Sequence, residues 1–99
     1  MNMQAMMKQA QQLQKKMLDE KKAIDSKEFE GKSSLVNIKM TGDYNVTDVK
    51  FNLDGNFDVE DVEMLQDMTM IAFNDVINKI KKETEDKMGK FTNGMPGLF

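Results

Sequence analysis

A chain of 99 residues with 39% hydrophobic and 31% charged side chains has the composition of one small globular domain. A chain this short buries only roughly 60–65% of its unfolded surface, so association with a second copy would add to its core. Cys, His, Trp and Arg are absent, which excludes disulfides, thiol nucleophiles, zinc sites built on Cys and His, and His-based acid–base catalysis.

The first predicted element is a helix over residues 3–24. Met3, Met6, Ala10, Leu13, Met17 and Ile24 recur at spacings of three, four and seven, a heptad seam broken only at Glu20. The other faces carry Gln and Lys. Such a helix spans about 33 Å, longer than a strand of five or six residues at about 17–20 Å. Its N-terminal half therefore overhangs any small sheet it packs on. The seam admits three partners: the chain's own second helix, a second copy, or a membrane surface, the last of which favours Trp or Phe and a denser basic face.

Residues 27–53 change to a period of two. Lys27–Lys32 offers a short strand with Phe29 as its one large apolar side chain. Val36, Ile38 and Met40 alternate with Asn37, Lys39 and Thr41, and Val49, Phe51 and Leu53 alternate with Asp48, Lys50 and Asn52. Gly42-Asp43 is a turn between them, and Asp54-Gly55-Asn56 ends the last strand. Three short antiparallel strands are expected.

A second helix is predicted over 59–88. Asp58 is its N-cap, and Glu60, Asp61 and Glu63 suit the positive end of its dipole. Val62, Leu65, Met68, Ala72, Phe73, Val76, Ile77 and Ile80 form a wide apolar face, whereas Lys81–Lys87 has no apolar residue. Gly89 is the expected stop, and residues 91–99 are expected to form a loose tail. Residues 1–90 thus read as one α+β domain ordered helix, three-stranded antiparallel sheet, helix.

The formal net charge of −3 opposes contact with a polyanion, but it is unevenly spread. Residues 1–24 carry +3, 25–55 carry −2, 56–78 carry −6 and 79–99 carry +2. Both ends are basic and the middle is acidic, a pattern that points to polyanion contact at the ends. All 14 basic residues are Lys. Lys neutralises phosphate as a compact charge, without the bidentate fork by which Arg reads guanine. The acids of 58–67 do not have the spacing of a calcium loop. No phosphate-binding Gly loop, nucleophile–base pair or metal-ligand constellation is visible, so neither enzyme activity nor a small-molecule substrate nor a cofactor is expected. No apolar run approaches the ~20 residues of a membrane span, and no secretory pattern opens the chain, so a cytoplasmic protein is expected.

Three stretches then resemble a known family. Met7-Lys8-Gln9-Ala10-Gln11-Gln12-Leu13-Gln14-Lys15-Lys16-Met17 is similar to the opening helix of the YbaB/EbfC proteins. Met64-Leu65-Gln66-Asp67, with Ala72-Phe73-Asn74-Asp75 and Lys79, resembles their second long helix, and Met95-Pro96-Gly97-Leu98-Phe99 resembles their C-terminal tail. The resemblance implies a bacterial, nucleoid-associated homodimer joined through its sheets, with helices projecting like tweezer arms that bind duplex DNA. Carried onto this chain, it makes Lys8, Lys15 and Lys16 of the first helix and Lys79, Lys81 and Lys82 of the second the candidate DNA contacts. Met3, Met6, Leu13, Met17, Val36 and Ile38 are the candidate dimer contacts. With Lys alone, contact is expected to be mainly with the phosphate backbone and weakly sequence-specific. A protein–protein adaptor that grips its partner with projecting amphipathic helices is the alternative.

Overall fold

The computed structural model describes the backbone of residues 2–94 and the side chains of residues 2–91. Helix α1 covers Met3–Ser26, strands β1, β2 and β3 cover Glu28–Lys32, Val36–Thr41 and Val46–Phe51, a short 3-10 turn covers Val59–Asp61, and helix α2 covers Val62–Gly94. The molecule is elongated, 72 Å by 19 Å by 13 Å.

Local chemistry sets the boundaries. The Asn2 side chain accepts the Gln4 backbone N–H at 3.0 Å and caps α1. Asp58 accepts the Glu60 N–H at 2.8 Å while Asp61 accepts the Asp58 N–H at 3.0 Å, a reciprocal capping box. Asp58 thus caps as the sequence predicts, but a 3-10 turn precedes the α-helix. Between β2 and β3 the chain turns through Tyr44, the one non-glycine residue with positive φ among those described (66°).

The sheet has the order β1-β2-β3 and is antiparallel throughout. Val36, Ile38 and Met40 of β2 lie opposite Phe51, Val49 and Val46 of β3, with a register shift at Lys39/Met40. These residues share the face that carries the helices. Helix α2 lies across β1 and β2, and the end of α1 touches β2; β3 meets neither helix. The core comprises Phe29, Val36, Ile38 and Met40 from the sheet, Ala72, Val76 and Ile80 from α2, and Ile24 from α1.

Two glycines seat the helices. A Cβ on Gly31 would lie 2.6 Å from the Val76 backbone nitrogen, and one on Gly42 would lie 2.6 Å from the Ile24 carbonyl carbon. Only a residue without a side chain allows each helix to sit directly on its strand.

Helix α2 does not stop at Gly89. It continues to Gly94 because Met88 and Phe91 still have a core to join, with Met17 of α1. The apolar pattern lapses over Lys81–Lys87 and then resumes, and burial of Phe91 outweighs the roughly 1 kcal/mol penalty of one helical glycine. Residues 91–94 therefore belong to the helix, and the remainder of the expected loose tail, 95–99, lies outside the described residues. Asn74, inside the apolar pattern, is exposed, and its neighbour Asp75 does the bonding.

Candidate nucleic-acid interface

Helices α1 and α2 leave the sheet together as an antiparallel arm. Lys27 pairs with Glu83 at 2.6 Å near the root, and Glu20 pairs with Lys90 at 3.7 Å further out. Seven residues along α1 thus match seven along α2. On that register Gly94 stands opposite Lys16. Residues 3–15 of α1 project beyond it, about 20 Å of helix at 1.5 Å per residue. The overhang predicted from helix length is present, and its root is where Met17 packs among Met88 and Phe91.

The overhang is exposed on all sides. Met3, Met6, Met7 and Leu13 are among the exposed large apolar residues. Lys8, Lys15 and Lys16 are exposed and make no ion pair or side-chain hydrogen bond among the described residues. Residues 2–18 contain no acid. Lys8 and Lys15 are seven residues apart, on one helical stripe with about 10 Å between them. Lys22 continues the stripe, also exposed and without an ion pair among the described residues, with Asp19 as a neighbour. Its seven-residue spacing from Lys15 was the available signal for adding it to the candidate set.

The lysines of α2 are placed differently. Lys79 donates to the Glu30 carbonyl at 2.8 Å and pairs with Asp75 at 3.1 Å, so it holds α2 to β1. Asp75 also accepts the Lys32 backbone N–H at 3.0 Å. That hydrogen bond, aided by the Lys79 ammonium, holds the Asp75 carboxyl below its ordinary value. Lys81 and Lys82 are exposed and without an ion pair among the described residues, but Glu83, Glu85 and Asp86 follow within one turn. Lys82 lines a shallow cleft of about 380 Å³ with Lys27, Phe29, Glu83 and Lys87. This group lies at the root of the arm, about 20 Å from the level of Lys15. The structure therefore separates the two lysine sets: one toward the tip, where Lys8 has no acid near it and only Asp19 and Glu20 lie within a turn of Lys15 and Lys16, and one at the root among more acids.

Of the six candidate dimer contacts, Met3, Met6 and Leu13 are exposed on the overhang. Met17, Val36 and Ile38 are buried within the protomer: Met17 joins the α1–α2 seam, and Val36 and Ile38 are wholly covered by α2. They have no surface left for a partner. The apolar surface that the sheet does present is on β3, where Val46, Val49 and Phe51 remain 41–46% exposed. Sequence reasoning passed over these three: Val49 and Phe51 alternate with polar residues as β2 does, and Val46 lies in the less regular stretch before them.

Residues 1–95 match the model of the YbaB/EbfC DNA-binding family. This chain belongs to that family. It is 48% identical to a nucleoid-associated protein of Enterococcus faecalis over 98% of this chain and 94% of the relative. It is 43% identical to one from Ligilactobacillus salivarius over 99% and 95%. The fold matches a crystal structure of an uncharacterised protein from Helicobacter pylori, with a TM-score of 0.72 at 17% identity over 92% of this chain and 97% of that one. No described helix is long and apolar enough to cross a membrane.

Proposed function

We propose that this member of a DNA-binding family acts at the bacterial nucleoid as a homodimer. It grips duplex DNA with the tips of its α1 arms, chiefly by neutralising backbone phosphates, and with little preference for sequence. The observation that carries the reading is the overhang and its root: Lys8, Lys15 and Lys16 are exposed and without an ion pair among the described residues, no acid precedes Asp19, and only Asp19 and Glu20 come within a turn of Lys15 and Lys16. Phosphate contact needs mobile cations on an accessible surface, and it does not need the planar fork of Arg. Lys81 and Lys82 contribute less, since neighbouring carboxylates at three- and four-residue spacing offset them. Lys79 is a structural cation.

The dimer forms on β3. An edge strand with unpaired backbone groups and an exposed apolar face is a template for a second chain, and β3 lacks both helix cover and an outer neighbour. A copy placed there would bury Val46, Val49 and Phe51 and leave the arms projecting.

Titration of labelled duplex DNA at two salt concentrations tests the reading. Six phosphate contacts per dimer give a slope of log K against log salt near −5, at about 0.9 per contact. Replacing Lys8, Lys15 and Lys16 together by Gln should weaken binding to all sequences alike and flatten the slope. An unchanged affinity and slope would remove α1 as the contact surface.

The exposed Met3, Met6 and Leu13 favour a second reading, in which the arms hold a protein partner. Binding would then be insensitive to salt and lost on Met6→Gln or Leu13→Gln.

A further inference from the structure

We infer that the basic half of α1 also docks on the acidic first turns of α2 in another copy of this chain. The protein would then assemble head to tail beyond its dimer, and DNA would compete with that contact for the same lysines. The competition rests on the DNA reading above; the contact itself does not.

The two surfaces are complementary in charge, spacing and apolar content. From residue 51 to residue 78 there are only acids and no Lys. Asp54, Asp58 and Asp61 are occupied by hydrogen bonds to the backbone N–H groups of Asn56, Glu60 and Asp58. Glu60, Glu63 and Asp67 make no ion pair or side-chain hydrogen bond among the described residues, and their spacing of three and four puts them on one face. Glu60 and Asp67 are seven residues apart, as are Lys8 and Lys15, so either pair spans about 10 Å. Exposed Met64, Met70 and Ile71 flank the acids, and exposed Met7 and Leu18 flank the lysines. Laid antiparallel, Lys15 meets Glu60, Lys8 meets Asp67, and thioethers adapt to the apolar side chains between them.

The contact cannot form within one protomer. Val62 and Gly94 are the two ends of α2, about 48 Å apart, and the overhang begins beyond the far end. It must therefore join different copies. Because it pairs two unlike patches, it is heterologous and can propagate, unlike a two-fold interface. Exposed ion pairs are individually weak and screened by salt, so the assembly is reversible and most extensive at low ionic strength.

Sedimentation velocity on the full chain, without DNA, tests this with two charge-reversed variants. One carries Lys8→Glu and Lys15→Glu; the other carries Glu60→Lys and Asp67→Lys. The wild type should grow beyond dimer mass with rising protein concentration at low salt and return to dimer mass at about 1 M salt, where the screening length is about 3 Å. Each variant alone should stay at dimer mass, and an equal mixture of the two should assemble again. A wild type that never exceeds dimer mass, or a mixture that does not assemble, overturns the inference. DNA anisotropy on the same variants, at protein concentrations too low for assembly, separates the two readings. If the arm variant loses DNA while no sample assembles, the DNA reading stands and this one falls. If it keeps DNA while assembly follows the charges, the reverse holds.

Discussion

Strands β2 and β3 each carry three apolar residues on one face of the sheet and meet opposite fates. Val36, Ile38 and Met40 are almost wholly buried, while Val46, Val49 and Phe51, directly across the ladder on the same face, are more than two-fifths exposed. The difference is only where α2 lies. A strand that keeps its apolar face without a helix to cover it points to burial supplied from outside the protomer, and this makes the β3 face the natural place for a second chain.

Substitutions can break or sharpen that contrast. The largest effect is expected at Ile38→Ala, which removes a fully buried side chain beneath α2 and should lower stability by about 2–5 kcal/mol in urea denaturation. Phe51→Asp, one strand away, should leave the far-ultraviolet spectrum intact but convert dimer to monomer in sedimentation; a dimer that persists would sink the β3 assignment. Phe51→Ala should act in the same direction more weakly, and the loss should shrink as protein concentration rises, since dimer stability depends on mass action. The smallest effect concerns Asp75, which ties α2 to β1 on the covered side of the sheet. Its carboxyl lies below the ordinary 3.8, so its contribution is present above that pH and lost as pH falls through the lower folded value. Asp75→Asn should reduce the acid sensitivity of unfolding; an unchanged pH profile would show that the Lys32 N–H and Lys79 contacts contribute nothing.

Much of this architecture was legible in the sequence. The heptad seam predicts α1 and its length predicts the overhang, alternation predicts β2 and the later part of β3, Phe29 alone marks β1, and Asp58 marks the start of the last helical region. What was not legible follows from tertiary placement. Nothing in Val36 or Val49 says which strand α2 will cover, so Val36 and Ile38 read as candidate partner contacts although both are fully buried within the protomer. Gly89 reads locally as a helix stop, and only Met17 on a distant segment explains why the helix continues to bury Phe91. Among the lysines, Asp75 four residues before Lys79 signals their ion pair, but the bond from Lys79 to the Glu30 carbonyl arises only from tertiary placement. Lys8 stands apart because no acid precedes Asp19, and proximity in sequence along a helix is proximity in space.

Gly31 and Gly42 have a mechanical consequence. Each fixes a helix against the sheet at a backbone-to-backbone contact, so the arm is a cantilever clamped at its root. From Ile24, above Gly42, to Met3 the lever is about 32 Å long. A methyl group at Gly42 would push α1 away at the clamp, and the angular error would be magnified along the lever to a displacement of several times its size at Lys8. In the proposed dimer the gap between the two arm tips would be gauged by these two glycines, and the aperture would be set at the sheet, not at the lysines.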